Sequence, residues 1–88
     1  MKLKYQMAIQ QVADGYVAVS VGEDAGKFSG LIRANATGAF MLEQMKDEIT
    51  EEELVKRLLD RYDADEQVLR ACAEEFVQNL EKEGLLIK

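Results

Sequence analysis

The sequence predicts an α+β fold in which a three-stranded antiparallel N-terminal sheet packs on three C-terminal helices. Three observations support this prediction. Alternating residues surround an Asp-Gly dipeptide, a short apolar run follows them, and apolar residues at helical spacing cover the rest of the chain. The chain has 88 residues, which is an ordinary size for one domain. We therefore expect residues 1–88 to form a single, free-standing domain.

The first two predicted strands form a β-hairpin. Residues 7–12 alternate weakly, and residues 16–21 place three Val side chains on one face. Asp14-Gly15 between them is a favoured dipeptide for a two-residue turn whose central residues take positive φ. Residues 28–33, Phe-Ser-Gly-Leu-Ile-Arg, then predict a third strand, which Gly30 weakens.

Capping residues mark the starts of the three predicted helices. Asn35 caps a helix over residues 36–45, Thr50 and Glu53 form a capping box, and Asp65 caps the last and longest helix. Gly84 predicts the end of that helix. The apolar residues 85–87 either pack under the sheet or pair as a minor strand.

Composition excludes several kinds of chemistry. The chain has no His and one Cys, so it can hold no Ser-His-Asp or Cys-His arrangement, no internal disulfide and no Cys-rich zinc site. No apolar run approaches the ~20 residues of a membrane span. We therefore expect a cytoplasmic protein that has no catalytic residues, binds no metal or cofactor, and does not associate with membranes.

The remaining reactive side chains have simpler structural explanations. Cys72 lies in mid-helix within an apolar stripe, whereas activated thiols usually lie at helix N-termini or beside cations. Asp60, Asp63 and Asp65 bracket a turn but lack the full pattern and central Gly of an EF-hand. The abundant Glu side chains fit capped helix starts and solvated helix faces.

Charge is distributed unevenly along the chain, whose net charge is −6. Residues 1–35 carry 4 basic and 3 acidic side chains, whereas residues 36–88 carry 7 basic and 14 acidic ones. Nucleic-acid phosphates require a basic footprint, so we do not expect nucleic acid as a partner.

The third predicted strand is the most informative candidate site. Phe28, Leu31 and Ile32 offer apolar contacts, and Lys27 and Arg33 flank them with positive charge. If this strand lies at the edge of the sheet, its unpaired N–H and C=O groups can receive an extended peptide. The alternative is that these side chains face the core and a loop covers the edge.

The last helix carries an apolar stripe that is wider than one core contact requires. Leu69, Ala73, Phe76, Val77 and Leu80 can serve the core. An adjacent face of the same helix is predicted to line a groove beside the third strand. Its residues recur at i, i+4, i+7 and i+11, and they are Val68, Cys72, Glu75 and Asn79.

Four segments, in order, resemble the PqqD-like family. Residues 33–43, RANATGAFMLE, resemble L-N-x-T-G-x-x-I-W-x-L, and residues 50–55, TEEELV, resemble T-x-x-E-I-V. Residues 59–65, LDRYDAD, resemble L-x-x-x-Y-D-x-D, and residues 76–86, FVQNLEKEGLL, resemble F-L-x-x-L-x-x-x-G-L-L. The chain departs from the pattern at Ala34, where Leu is common, and at Leu42, where Trp is frequent.

The resemblance implies a winged-helix-like domain known as a RiPP recognition element. Such a domain is a non-catalytic adaptor that binds the leader region of a ribosomally synthesised precursor peptide. The leader adds as a strand to the third strand, beside the third helix, and is presented to a modifying enzyme, often a radical SAM maturase. The charges of Lys27 and Arg33 would suit an acidic leader. The expected peptide-binding residues are Lys27, Phe28, Ser29, Gly30, Leu31, Ile32, Arg33, Val68, Cys72, Glu75, Phe76 and Asn79.

Two alternatives remain open from the sequence. The edge strands of two copies can pair, which would give a homodimer or a self-associating scaffold module. An acidic winged-helix protein that binds nucleic acid is disfavoured by the charge of the helical part.

Overall fold

The computed structural model describes residues 1–25 and 31–87, and it confirms the predicted order of strands followed by helices. The chain also contains a short 3-10 turn at Gly22–Asp24 and two short strands near its ends. The strands are β1 (Lys2–Leu3), β2 (Met7–Val12), β3 (Gly15–Ser20), β4 (Ile32–Ala34) and β5 (Leu86–Ile87), and the helices are α1 (Ala36–Gln44), α2 (Glu51–Arg61) and α3 (Glu66–Lys82). In the described part of the chain, no helix has the length and apolar character needed to cross a membrane.

The main sheet has the antiparallel order β2-β3-β4, as predicted. The predicted turn of the β2–β3 hairpin is wrong by one residue. Val12 pairs with Gly15, so the two loop residues are Ala13 and Asp14. Ala13 takes the positive φ, 55°, and Gly15 begins the second strand. The register of the whole hairpin, rather than the local Asp-Gly preference, therefore selects the turn.

The third predicted strand is confirmed in part, at a shifted position. Strand β4 begins at Ile32 and continues to Ala34, which lies beyond the predicted range. Leu31 precedes the strand, and residues 28–30 lie outside the described residues. The end of β4 follows from its neighbour, because Asn35 caps α1 in the next position.

The two faces of the main sheet differ in what they bury. Ala18 of β3 is 1% exposed and faces the core, together with its paired neighbours Ile9 and Ile32. The Val side chains of β3 lie on the outer face, because successive residues of a strand point to opposite sides. A small residue at the centre of the inner face lets α1 pack closely on the sheet.

A second, two-stranded sheet joins the ends of the chain. Leu86–Ile87 pair antiparallel with Lys2–Leu3, which selects the minor-strand alternative for the C-terminal apolar residues. Strand β1 has no counterpart among the strands predicted from the sequence. Two further backbone bonds hold it in place: the N–H of Leu3 donates to the carbonyl of Met45 at 2.9 Å, and the N–H of Lys4 donates to Leu85 at 2.7 Å.

The helices begin at the predicted capping residues. Asn35 Oδ1 accepts a hydrogen bond from the N–H of Gly38 at 2.8 Å. Thr50 Oγ1 accepts one from the N–H of Glu53 at 3.1 Å, and Glu53 Oε1 accepts one from the N–H of Thr50 at 3.2 Å, which completes the capping box. Asp65 caps α3. Each cap satisfies backbone donors that the helix itself leaves without partners.

Helix α3 ends in a Schellman motif at the predicted glycine. Gly84 has a φ of 71°, which suits a residue without Cβ. Its N–H donates to Glu81 at 3.0 Å, and the N–H of Leu85 donates to Leu80 at 2.9 Å. This turn brings the buried side chains of Leu80 and Leu85 together and directs the chain into β5.

One continuous core joins the sheet to all three helices. The predicted core residues Leu69, Ala73, Val77 and Leu80 of α3 are buried, whereas Phe76 is half-buried at its edge. Fully burying a Leu side chain contributes roughly 2 kcal/mol. The largest fully buried side chains come from α1, α2 and the segments that follow α1 and α3: Leu42, Met45, Ile49, Leu54, Val55, Leu58 and Leu85.

Gly38 permits a three-way contact between α1, β4 and α3. A Cβ atom at this position would lie 3.0 Å from Cβ of Ala34 and 3.2 Å from Cε1 of Phe76. Both distances are shorter than ordinary van der Waals contact between carbon atoms. The glycine therefore sets how closely the start of α1 approaches its neighbours.

We predict that Thr50→Ala lowers the free energy of unfolding by about 1 kcal/mol, because the N–H of Glu53 loses its acceptor. Urea denaturation measures the change. Thr50→Ser is the matched control, since it keeps the hydroxyl group and is expected to remain close to the wild type. An equal loss in both variants would contradict a role of the cap.

The same capping box predicts a pH dependence of stability. Hydrogen bonds from the backbone and then the side chain of Thr50 hold the pKa of Glu53 below its ordinary value of 4.5. A pKa that is lower in the folded state means that folding favours the carboxylate form of Glu53. This stabilisation is complete above pH 4.5 and is lost as the pH falls through the lower pKa of the folded state. We expect Glu53→Gln to reduce the acid-induced loss of stability, measured by urea denaturation above and below that pH. An identical loss of stability at low pH in the variant and the wild type would contradict a contribution of the Glu53 carboxylate.

We predict that Gly38→Ala destabilises the protein by about 1 kcal/mol. Overpacking against Ala34 and Phe76 costs roughly 1–3 kcal/mol, which exceeds the gain of about 1 kcal/mol from the better helix former. The neighbouring Thr37→Ala change is the control for helix propensity, and thermal or urea unfolding provides the measurement. A Gly38→Ala variant that is more stable than the wild type would contradict this prediction, because it would show that Ala34 and Phe76 can move to accommodate the added methyl group.

Candidate functional site

A groove runs between strand β4 and helix α3. Its larger part is a hollow of about 440 Å³. One side is formed by the segment that contains β4, and the other by the C-terminal half of α3 and the turn after it. The hollow is lined by Leu31, Ile32, Arg33, Ala34, Asn35, Phe76, Asn79, Leu80, Glu83 and Leu85.

A smaller hollow of about 220 Å³ continues the groove between α1 and α3. Asn35, Phe76 and Asn79 line both hollows, so the two are parts of one surface. We call this surface the β4–α3 groove. The smaller hollow adds Thr37, Gly38, Met41, Cys72 and Glu75 to it.

Strand β4 lies at the edge of the main sheet beside this groove. Among the described residues, β4 pairs with β3 and with no other strand. The N–H and C=O groups that alternate toward the outer side of an edge strand can bond an added strand. In the part of the chain that the structure describes, the groove therefore combines an unpaired strand edge with hollows for side chains on one side of it.

The structure brings most of the described, sequence-predicted site residues into the groove. Leu31 lines the larger hollow and is 50% exposed, so a large apolar side chain there is open to solvent. Val68 is 61% exposed on α3 but lines neither hollow. Lys27, Phe28, Ser29 and Gly30 fall outside the described residues. The predicted residues found in the groove are Leu31, Ile32, Arg33, Cys72, Glu75, Phe76 and Asn79.

Helix α1 contributes to the groove although no site residue was predicted on it. Asn35, Thr37, Gly38 and Met41 line the smaller hollow, and of these the sequence assigns only Asn35 a role, as a helix cap. The Asn-Ala-Thr-Gly segment is the available signal, because a glycine in the first turn of a helix indicates a close neighbour. The larger hollow likewise adds residues that were not predicted: Ala34, Leu80, Glu83 and Leu85.

The two sides of the groove carry opposite charges. Arg33 belongs to the strand side, and its pairing with Val17 places its side chain on the outer face of the sheet. Glu75 and Glu83 belong to the α3 side. A ligand in this groove would therefore meet a cation along the sheet edge and carboxylates along the helix.

The groove contains one thiol. Cys72 is free and exposed in the middle of α3. Among the described residues, no three Cys, Asp or Glu side chains are grouped so that they could hold a metal ion.

The ion pairs of Arg70 on α3 lie elsewhere on the surface of this helix. Arg70 bonds the carboxylates of Glu52 and Glu66, and it lines neither hollow of the groove. The hydrogen bond from Arg70 holds the pKa of Glu52 below its ordinary value. This cluster ties α2 to α3 and leaves the groove side of α3 uninvolved.

Two solved structures share this fold. The first, described as TbiB1 in complex with the TbiA(beta) leader peptide, has a TM-score of 0.73 and 17% sequence identity, and the match covers 98% of this chain and 94% of that chain. The second, described as lasso peptide synthetase B1 complexed with the leader peptide, has a TM-score of 0.71 and 16% identity, with 99% and 96% covered. No curated protein matches the chain.

The family comparison agrees with the resemblance of the four sequence segments. Residues 9–86 match the family described as coenzyme PQQ synthesis protein D (PqqD). The match includes all of the main sheet except the first two residues of β2, all three helices and every described residue of the β4–α3 groove. The chain belongs to the PqqD family.

Proposed function

We propose that this protein is a non-catalytic adaptor that binds the leader region of a ribosomally synthesised precursor peptide. The leader adds as an extended strand to the open edge of β4 and lies in the β4–α3 groove. The adaptor then presents the precursor to a modifying enzyme, a radical SAM maturase. The family membership and the leader-peptide complexes of the two structural relatives support this proposal.

The observation that carries the proposal is the position of the β4 edge beside the groove. An added strand receives main-chain hydrogen bonds, which give affinity without regard to sequence. Every second side chain of that strand points to the same face, toward the two hollows. Half-buried Phe76 lies between the hollows and offers an apolar surface to both.

The residues of the groove suit binding better than catalysis. Cys72 has no His to activate it, because the chain contains none. Exposed Glu75 in α3 and Glu83 at its C-cap lie on the same side of the groove, separated by a rise of about 12 Å along the helix axis at 1.5 Å per residue, rather than facing each other across the groove.

Strand addition predicts that a proline at the start of β4 impairs leader binding. Pro removes a backbone N–H, and adjacent residues of an extended segment direct their N–H groups to opposite sides. One of the two variants Leu31→Pro and Ile32→Pro therefore removes an N–H group that faces the added peptide, and the other removes one that faces away from it. We expect the first kind of variant to remain folded and to lose affinity for the leader about tenfold. Isothermal titration with a leader peptide measures the affinity.

Leu31→Ala and Ile32→Ala are the matched controls, since both keep the N–H group. We expect Leu31→Ala to stay within a few-fold of the wild type, because Leu31 is half exposed before binding. Amide NMR shifts in the wild type should concentrate at residues 31–35 and 72–79. Unchanged affinity in both folded proline variants would rule out addition to β4.

Cys72 provides a native reporter for occupancy of the groove. The bound leader is expected to slow alkylation of this exposed thiol several-fold, because Cys72 lines the smaller hollow. The control is the double variant Ala71→Cys, Cys72→Ser, whose new thiol lies on the next, exposed position of α3 outside the groove. Protection of both thiols alike would indicate an effect other than occupancy of the groove.

The open edge of β4 also supports a second candidate function, self-association of two copies through their edge strands. Sedimentation velocity separates the two candidates. A dimer that persists at saturating leader peptide would favour a scaffold, whereas a monomer that binds one peptide would favour the adaptor.

A further inference from the structure

We propose that the smaller hollow of the β4–α3 groove accepts a Lys or Arg side chain of the bound peptide, with Glu75 as its charge partner. This inference rests on the proposed function, because the side chain is delivered by a peptide in the groove. It adds a specificity that neither the fold nor the strand edge provides.

The hollow has the mixed lining that a long basic side chain requires. Met41 and Phe76 supply apolar surface, and Gly38 lines the hollow where α1 approaches α3 closely. Asn35, Thr37 and Asn79 place polar groups around it. Lys and Arg bury an aliphatic stem along apolar surface while the charged end stays near polar groups and water.

Glu75 is the charged residue among the described residues that line this hollow. Its helical neighbours cannot neutralise it, because positions 71, 72, 78 and 79 hold Ala, Cys, Gln and Asn. The same helix shows the contrast: Glu66 pairs with Arg70 at i, i+4. Glu75 therefore has an exposed carboxylate without an ion-pair partner in the described part of the chain.

The preference for a basic side chain is confined to this end of the groove. The lining of the larger hollow instead includes one basic and one acidic residue, Arg33 and Glu83, so its charge is mixed. In the smaller hollow nothing described offsets Glu75. An acidic side chain there would meet a like charge, whereas a neutral apolar one would gain the stem contacts alone.

Selection from a phage-displayed library of random peptides tests the inference, and it does not require the natural leader to be identified. We expect the wild type to enrich extended peptides that have Lys or Arg at one fixed position. Glu75→Lys is expected to enrich Asp or Glu at that position instead. Glu74→Lys is the matched control, because Glu74 is exposed, carries the same charge and lines neither hollow, and it should keep the wild-type preference.

A selected peptide then gives the size of the effect. Replacing its basic residue by norleucine, which keeps the stem and removes the charge, should weaken binding to the wild type about fivefold. The same replacement should have little effect on binding to Glu75→Gln. Thermal unfolding verifies that each variant is folded. We expect all of them to fold, because the substituted positions are exposed.

The outcomes separate this inference from the proposed function. Enrichment of extended peptides without a basic position, or an unchanged preference in Glu75→Lys, overturns the subsite and leaves the adaptor function intact. A library that yields no extended binder contradicts the proposed function, and the subsite falls with it.

Discussion

The close approach of α1 to β4 and α3 at Gly38 is the constraint on which the groove depends. A side chain at this position would press on Ala34 and on the ring of Phe76, so the three elements could not meet at their present distances. Because Asn35 caps α1 immediately after β4, the strand passes directly into the helix without a loop. The edge of the sheet and the start of the helix thus form one continuous wall, and Phe76 stands opposite it.

The far end of the groove depends on how α3 terminates. The Schellman turn at Gly84 folds Leu85 back beside Leu80, and these buried side chains underlie the larger hollow. The chain then pairs with β1, whose backbone also bonds to Met45 at the end of α1. A short strand at each end of the chain therefore braces both helices that border the groove. This bracing matters in a chain of 88 residues, because so small a domain buries little surface with which to hold its helices in place.

The distribution of charge fits a peptide more closely than a nucleic acid. The helical part of the chain is strongly acidic, and carboxylates extend along the groove side of α3. Phosphates would be repelled there, whereas a peptide can match each charge with its own side chains. Main-chain bonds to β4 would accept many sequences, so discrimination among peptides would come from the hollows and their charges. Affinity and specificity would then arise from different elements of the same groove.

Local patterns in the sequence determined the order of strands and helices, the three capping residues and the stop at Gly84, because each depends on contacts within a few residues. They also placed Cys72, Glu75 and Asn79 beside the core stripe of α3, since helical periodicity alone assigns residues to faces. The alternation in β3 assigns Val17 and Ala18 to opposite faces of the sheet but does not indicate which face is buried. Tertiary packing buries the face that carries the small side chain of Ala18. The turn residue Ala13, the strand β1 and the part of α1 in the groove were decided by pairings between distant segments. Such pairings leave no periodic signal in the sequence, because they depend on which surfaces meet only after the chain has folded.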